Sequence, residues 1–147
     1  MRKSTTSFLF PDLNVWLALS YDGHAGYRTA SEWFKGLPES ARLCFCRQTQ
    51  LGLLRLLTTE SVMNEQVLTQ VQAWQMYDRW LEDDRVIFAD EPSTVEAMFR
   101  AMSRLNAPAS KVWGDAYLIA FAQSSGFRLV TFDRPMAKKA EGVFLLG

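Results

Sequence analysis

Three aspartates stand at the edges of apolar segments in this chain. Asp12 follows Phe8-Leu9-Phe10-Pro11, Asp115 precedes Ala116-Tyr117-Leu118-Ile119-Ala120-Phe121-Ala122, and Asp133 follows Leu129-Val130-Thr131-Phe132. A carboxylate beside a dense apolar segment is costly to bury unless it is paired or bound to a cation. Carboxylates brought close together repel one another, so a site built from all three requires a counter-charge. Mg²⁺ meets that requirement with hard oxygen ligands, needs neither Cys nor His, and keeps several waters. Such an ion activates a water and neutralises charge that develops on a phosphoryl group, which points to metal-dependent phosphodiester hydrolysis. Asp is also a common helix cap, so three unrelated caps are the competing reading.

Other chemistries have fewer residues to draw on. His24 is the only histidine, which leaves no partner for a triad with a His base. Cys44 and Cys46 are two apart on an expected strand, so both point to one face, too close for easy disulfide geometry. Without further Cys or His ligands they read as buried, reduced core thiols.

The elements that must position the aspartates follow from hydrophobic periodicity. Residues 7–10 read as a short strand ended by Pro11, and residues 13–19 then turn helical. Residues 25–37 form an amphipathic helix with Ala30, Trp33 and Phe34 inward, and residues 43–46 a second strand. Arg47-Gln48-Thr49-Gln50 follows as a connection, and a helix then carries Leu51, Leu54 and Leu57 in register. Arg55 within it is either an anion anchor or a solvated charge. Residues 65–80 predict one long helix with Val67, Leu68, Val71, Trp74, Tyr77 and Leu81 on a single face. Residues 86–88 are a third strand, and Ser93-x-x-Glu96 predicts a capping box for a helix through Met102. The helix after Asp115 is apolar nearly all round, Gly126 stops it, and residues 129–132 form a strand buried on both faces. A short helix over 134–140 and a strand over 143–146 close the chain. Strands alternating with helices imply an α/β domain with a mainly parallel sheet, whose ligands gather at strand carboxyl ends where strand order reverses.

At 147 residues the chain is read as a single domain, residues 1–147. Lys+Arg and Asp+Glu are 16 each, which excludes a generally basic nucleic-acid coat but permits a local patch. No segment resembles a signal peptide or a membrane span, so the expected location is cytoplasmic with no membrane association.

Four segments, in order, resemble the signatures of PIN-domain proteins, and more narrowly the VapC-type ribonuclease toxins of bacterial toxin–antitoxin pairs. They are Pro11-Asp12-Leu13-Asn14-Val15, the run from Phe45 to Thr58, Trp113-Gly114-Asp115-Ala116-Tyr117-Leu118, and Val130-Thr131-Phe132-Asp133. The resemblance spans nearly the whole chain. It implies a PIN-like three-layer sandwich, with helices flanking a mainly parallel five-stranded sheet. It also implies a Mg²⁺-dependent, or Mn²⁺-dependent, endoribonuclease with Asp12, Asp115 and Asp133 as catalytic and metal-binding acids. The implied partners are an RNA substrate and a VapB-type antitoxin, with a homodimer as the frequent assembly.

One departure stands out. Many PIN domains carry a further glutamate three residues before an arginine on the helix after the second strand; Arg55 matches that arginine, but Gly52 stands in the acid's place. Gln50, Asn14 and Thr131 are the polar residues expected to support the remaining three carboxylates, and weaker metal binding, or one ion in place of two, follows as an expectation. Arg134, Lys138 and Lys139 are candidates for contacting RNA phosphates, with a solvated surface helix as the alternative. With no interleaved aromatic platform evident, RNA choice is expected to rest on shape and loop geometry. Two rival readings remain: a catalytically weak or inactive PIN-fold module that binds RNA or protein, and a phosphoacceptor receiver domain. The receiver reading wants adjacent acids after the first strand and a late lysine; this chain has a lone Asp12, and Arg134 after Asp133.

Overall fold

In the computed structural model, which describes residues 7–147, the chain begins with β1 (Phe8–Pro11), α1 (Leu13–Ser20), α2 (Tyr27–Lys35) and β2 (Arg42–Phe45). It continues through α3 (Arg47–Leu57), a short α4 (Glu60–Met63), a 3₁₀ turn (Asn64–Gln66), α5 (Gln70–Glu82), β3 (Val86–Phe88) and α6 (Val95–Met102). The last elements are α7 (Val112–Ser125), β4 (Arg128–Thr131), α8 (Arg134–Ala137) and β5 (Phe144–Leu145). The strands form one sheet in the order β3-β2-β1-β4-β5, with every pairing parallel.

The layers follow from the two-residue period of the strands. Leu9, Leu43, Phe45 and Val130 enter one apolar core, together with residues of α1, α2, α3 and α5. Their neighbours Phe10, Cys44 and Leu129 enter the other, shared with α6, α7 and α8. A parallel sheet covered on both faces needs apolar residues at nearly every strand position, which these strands supply. Trp16 of α1 anchors the first core, its indole stacked on Phe45 with centroids 3.8 Å apart. In the second core α7 buries Ala116 and residues 118–122, consistent with its unbroken apolar sequence. Cys44 and Cys46 lie together here, both free, and burial pushes the Cys44 thiol up to about 12, so it stays protonated and inert.

Several boundaries depart from the sequence expectations. The predicted helix over 65–80 is broken. Asn64 takes φ 53, the Leu68 N–H donates to the Leu57 carbonyl, and a fresh helix starts at Gln70 under a Thr69–Gln72 capping box. Restarting the helix re-aims its faces. Ala73 and Tyr77 are buried, whereas Val67, Val71, Trp74 and Leu81 are exposed. The capping box predicted at Ser93 is absent, because Thr94 sits in the αR region and α6 starts at Val95 without a side-chain cap. Arg47-Gln48-Thr49-Gln50 is no connection but the first turn of α3; Leu53 and Leu57 face the core, and Leu51 faces solvent.

Candidate active site

Strand order places the site. The chain moves outward from β1 to β2 to β3, then returns to the other side of β1 with β4, so the order reverses between β1 and β4. At such a switch point the connections leave in opposite directions and open a crevice beyond the strand carboxyl ends. Asp12 and Asp133 lie at those ends of β1 and β4, and each caps the helix that follows.

Asp12 is buried, with 6% of its surface exposed. Its Oδ1 accepts from the Val15 N–H at 3.1 Å, and the Thr131 hydroxyl donates to its Oδ2. Thr131, itself fully buried, also accepts from the Asp133 N–H at 3.0 Å, so a single hydroxyl ties the two acidic positions together. Asp133 Oδ1 in turn accepts from the Met136 N–H at 3.2 Å. Burial pushes the Asp12 carboxyl above its ordinary 3.8 and the charge of Asp133 adds to that push, against the downward pull of Thr131 and the N–H groups of Val15 and Asn14. The α1 and α8 N-termini favour negative charge at both caps. The result is a desolvated carboxylate facing a second one, an arrangement that a cation relieves.

Asp115 is positioned differently. It lies in the first turn of α7, half exposed, and its Oδ2 is 3.7 Å from the Lys139 ammonium just beyond α8. Lys139, expected to meet RNA phosphate, here serves as the counter-charge of Asp115. At that length and exposure the pair contributes little to stability. Among the described residues no three carboxylate, His or Cys side chains stand close enough for a closed metal cage. Asp12, Asp133, Asp115 and Thr131 provide oxygen donors alone. The donors that the structure does bring together, Asp12, Thr131 and Asp133, are oxygens, which fits a hard divalent ion that keeps most of its waters and does not suit zinc; Asp115 is not shown in contact with them.

The supporting residues divide. Thr131 takes the role described. Asn14 contributes its backbone N–H to Asp12, while its side chain is exposed. Gln50 is turned away: its Oε1 accepts from Arg47, and its amide hydrogen-bonds Tyr77 on α5. It sits two residues from Gly52, about 200° around the helix, which explains the misdirection. Gln48, four residues before Gly52 and so on its face of α3, is the residue that sequence reasoning missed. Its amide nitrogen lies 3.5 Å from where a Cβ on Gly114 would be, next to Asp115. The i, i+4 spacing was the available signal. At Gly52 itself a Cβ would meet Leu13 Cδ2 at 2.7 Å, so the position where the resemblance implies an acid is here taken up by an apolar contact. Arg55 points into the α3–α5 groove beside Leu51 and Trp74. Arg134 and Lys138 are exposed around α8, with no ion pair among the described residues.

The family model for the PIN domain matches residues 9–142. Ribonuclease VapC41 of Mycobacterium tuberculosis is 44% identical over 129 residues, covering 85% of this chain and 88% of that protein. Among solved structures, M. tuberculosis VapC20, described as a sarcin-ricin loop cleaving toxin, superposes with a TM-score of 0.67 at 18% identity, covering 96% of this chain and 100% of that one. VapBC2 from Rickettsia felis, bound to a promoter DNA fragment, gives 0.59 at 12% identity, covering 94% and 96% respectively. The two structures share the fold, and the family match and the close relative carry the assignment: the chain belongs to the PIN-domain family and, within it, to the VapC ribonucleases.

Proposed function

We propose that this chain is a divalent-metal-dependent endoribonuclease, the toxin of a VapBC-type pair, with Asp12, Asp115 and Asp133 as its acidic site. The observation that carries the residue assignment is the buried Asp12 carboxylate, joined to Asp133 through Thr131 at the β1–β4 switch point. A bound Mg²⁺ or Mn²⁺ supplies a water of lowered pKa and neutralises charge on the phosphoryl oxygens. The chain's own residues do the rest. The Val15 N–H and Thr131 hydroxyl fix both oxygens of Asp12, so the carboxylate is oriented before substrate arrives. Asp115 would join these two acids from the first turn of α7, and Arg134 and Lys138 offer exposed cations to the RNA backbone beside Asp133. The resemblance to VapC41 and to the toxin of the R. felis complex supports a VapB-type antitoxin as the partner.

The test is cleavage of total and transfer RNA by purified protein, with Mg²⁺, Mn²⁺ or chelator, beside Asp12→Asn and Asp115→Asn checked for native folding. Discrete fragments that need the metal and vanish in both variants support the reading. A second reading, a PIN-fold binding module without turnover, draws on two observations: Leu13 packed beside Gly52, and Lys139 already placed on Asp115. RNA or antitoxin binding without cleavage under any metal would select it.

A further inference from the structure

The corner between α6 and α7 presents a second surface beside the acidic site. Trp113, in the first turn of α7 and two residues before Asp115, leaves 57% of its surface exposed. Its ring meets Phe99 edge-on at 6.0 Å, and Phe99 meets Tyr117 edge-on at 5.7 Å. The Tyr117 hydroxyl donates to Glu91, which anchors the far side of this aromatic row. The indole is thus supported from below while it borders an open cleft of about 500 Å³, lined by Glu96, Phe99, Arg100, Ser103, Arg104 and Trp113. Arg100 is paired with Glu96 at 3.0 Å, whereas Arg104 has no ion pair among the described residues.

Core packing does not account for a large, half-open indole at this position. An exposed aromatic ring held in place by other rings, beside an unpaired guanidinium, is the chemistry that stacks a splayed base and holds its phosphate. Trp113 lies two residues before Asp115 on α7, about 200° around the helix, so the cleft flanks the acidic residue on the α6 side of α7. A strand that meets both Asp115 and the cleft crosses the first turn of α7. Arg134 and Lys138 stand on the opposite, α8 flank of Asp115.

We infer that the α6–α7 cleft is the subsite for an unpaired nucleotide of the RNA substrate, its base stacked on Trp113 and its phosphate met by Arg104. This revises the sequence-based expectation that base stacking plays little part, and it rests on the ribonuclease reading above.

The probe is a fluorescein-labelled RNA hairpin with an unpaired purine loop, bound to the non-cleaving Asp115→Asn protein and followed by anisotropy. Adding Trp113→Ala is expected to weaken binding about tenfold, and Trp113→Phe to recover most of the loss. The salt dependence should be unchanged by Trp113→Ala but reduced by about one unit of log–log slope in Arg104→Gln. A hairpin with an abasic loop should bind the parent as weakly as the Trp113→Ala protein binds the intact loop. Equal affinity of Trp113→Ala and parent for the intact loop overturns the subsite, while RNA cleavage by the wild-type protein leaves the ribonuclease reading standing. A change in sedimenting mass with unchanged RNA affinity would reassign the cleft to a second copy of this chain. If the Asp115→Asn protein does not bind RNA and the wild-type protein does not cut it, both readings fall together.

Discussion

Gly52 stands where the resemblance to PIN domains implies an acid, and its surroundings allow a quantitative test. It lies buried inside α3, where replacing Gly by Ala in an open helix gains about 1 kcal/mol. Here a Cβ would stand 2.7 Å from Leu13 Cδ2 and 3.0 Å from Cδ1. Overpacking of that kind costs about 1–3 kcal/mol. Leu13 is half buried and its methyls are the free end of the side chain, so part of the clash relaxes as Leu13 turns outward. Gly52→Ala should therefore leave the protein between unchanged and about 2 kcal/mol less stable. In a Leu13→Ala background the obstructing methyls are gone, and the same substitution should gain about 1 kcal/mol. The two sites should couple by about 1–3 kcal/mol, against the roughly 0.5 kcal/mol within which non-contacting sites add. Urea denaturation of the four proteins, without metal, measures the cycle through the transition midpoint at constant slope. Additivity, or a stabilised Gly52→Ala in the parent, would refute the close contact. The functional counterpart is Gly52→Glu, read by calorimetric titration with Mg²⁺. It should gain affinity only together with Leu13→Ala, since only then does the added carboxylate have room.

Three further outcomes are expected. Because burial holds the Asp12 carboxyl above 3.8 in the folded chain, the folded state binds that proton more tightly than the unfolded one. Its contribution is therefore least unfavourable below pH 3.8 and worsens as pH rises through the raised value, so Asp12→Asn without metal should gain on the parent as pH increases. Comparison at each pH cancels the opposite trend from Asp83, whose carboxyl Arg85 holds low; a pH-independent difference would contradict the burial argument. Lys139→Gln removes the cation beside Asp115 and should raise Mg²⁺ affinity by up to about tenfold in calorimetric titration, whereas an unchanged value would mean that ion and ammonium do not compete. Thr69→Ala removes the cap that starts α5 and should cost about 1 kcal/mol, a fall in Tm of about 2–4 °C; no shift would show that packing alone sets that boundary.

The sequence by itself determined the elements whose signals are local. The apolar α7 stopped by Gly126, the parallel strands read from apolar runs, and the shared face of Cys44 and Cys46 all follow from periods of 3.6 and two. Family membership was legible for the same reason, since four motifs in order survive without coordinates. Local signals failed where competing ones overlapped. The apolar spacing across residues 65–80 concealed a break that Asn64 and the Thr69–Gln72 box impose, and Ser93-x-x-Glu96 imitated a cap that the backbone at Thr94 does not adopt. What only the tertiary structure decided was which distant residues meet. Strand order, set by long-range pairing, brought Asp12 and Asp133 together through Thr131, 119 residues along the chain from Asp12. The same packing placed Leu13 beside Gly52 and Lys139 beside Asp115, turned Gln50 away while bringing Gln48 to Gly114, and left Trp113 open at the rim. Those outcomes depend on the direction in which each helix docks on the sheet, a property of the assembled layers that no single segment encodes.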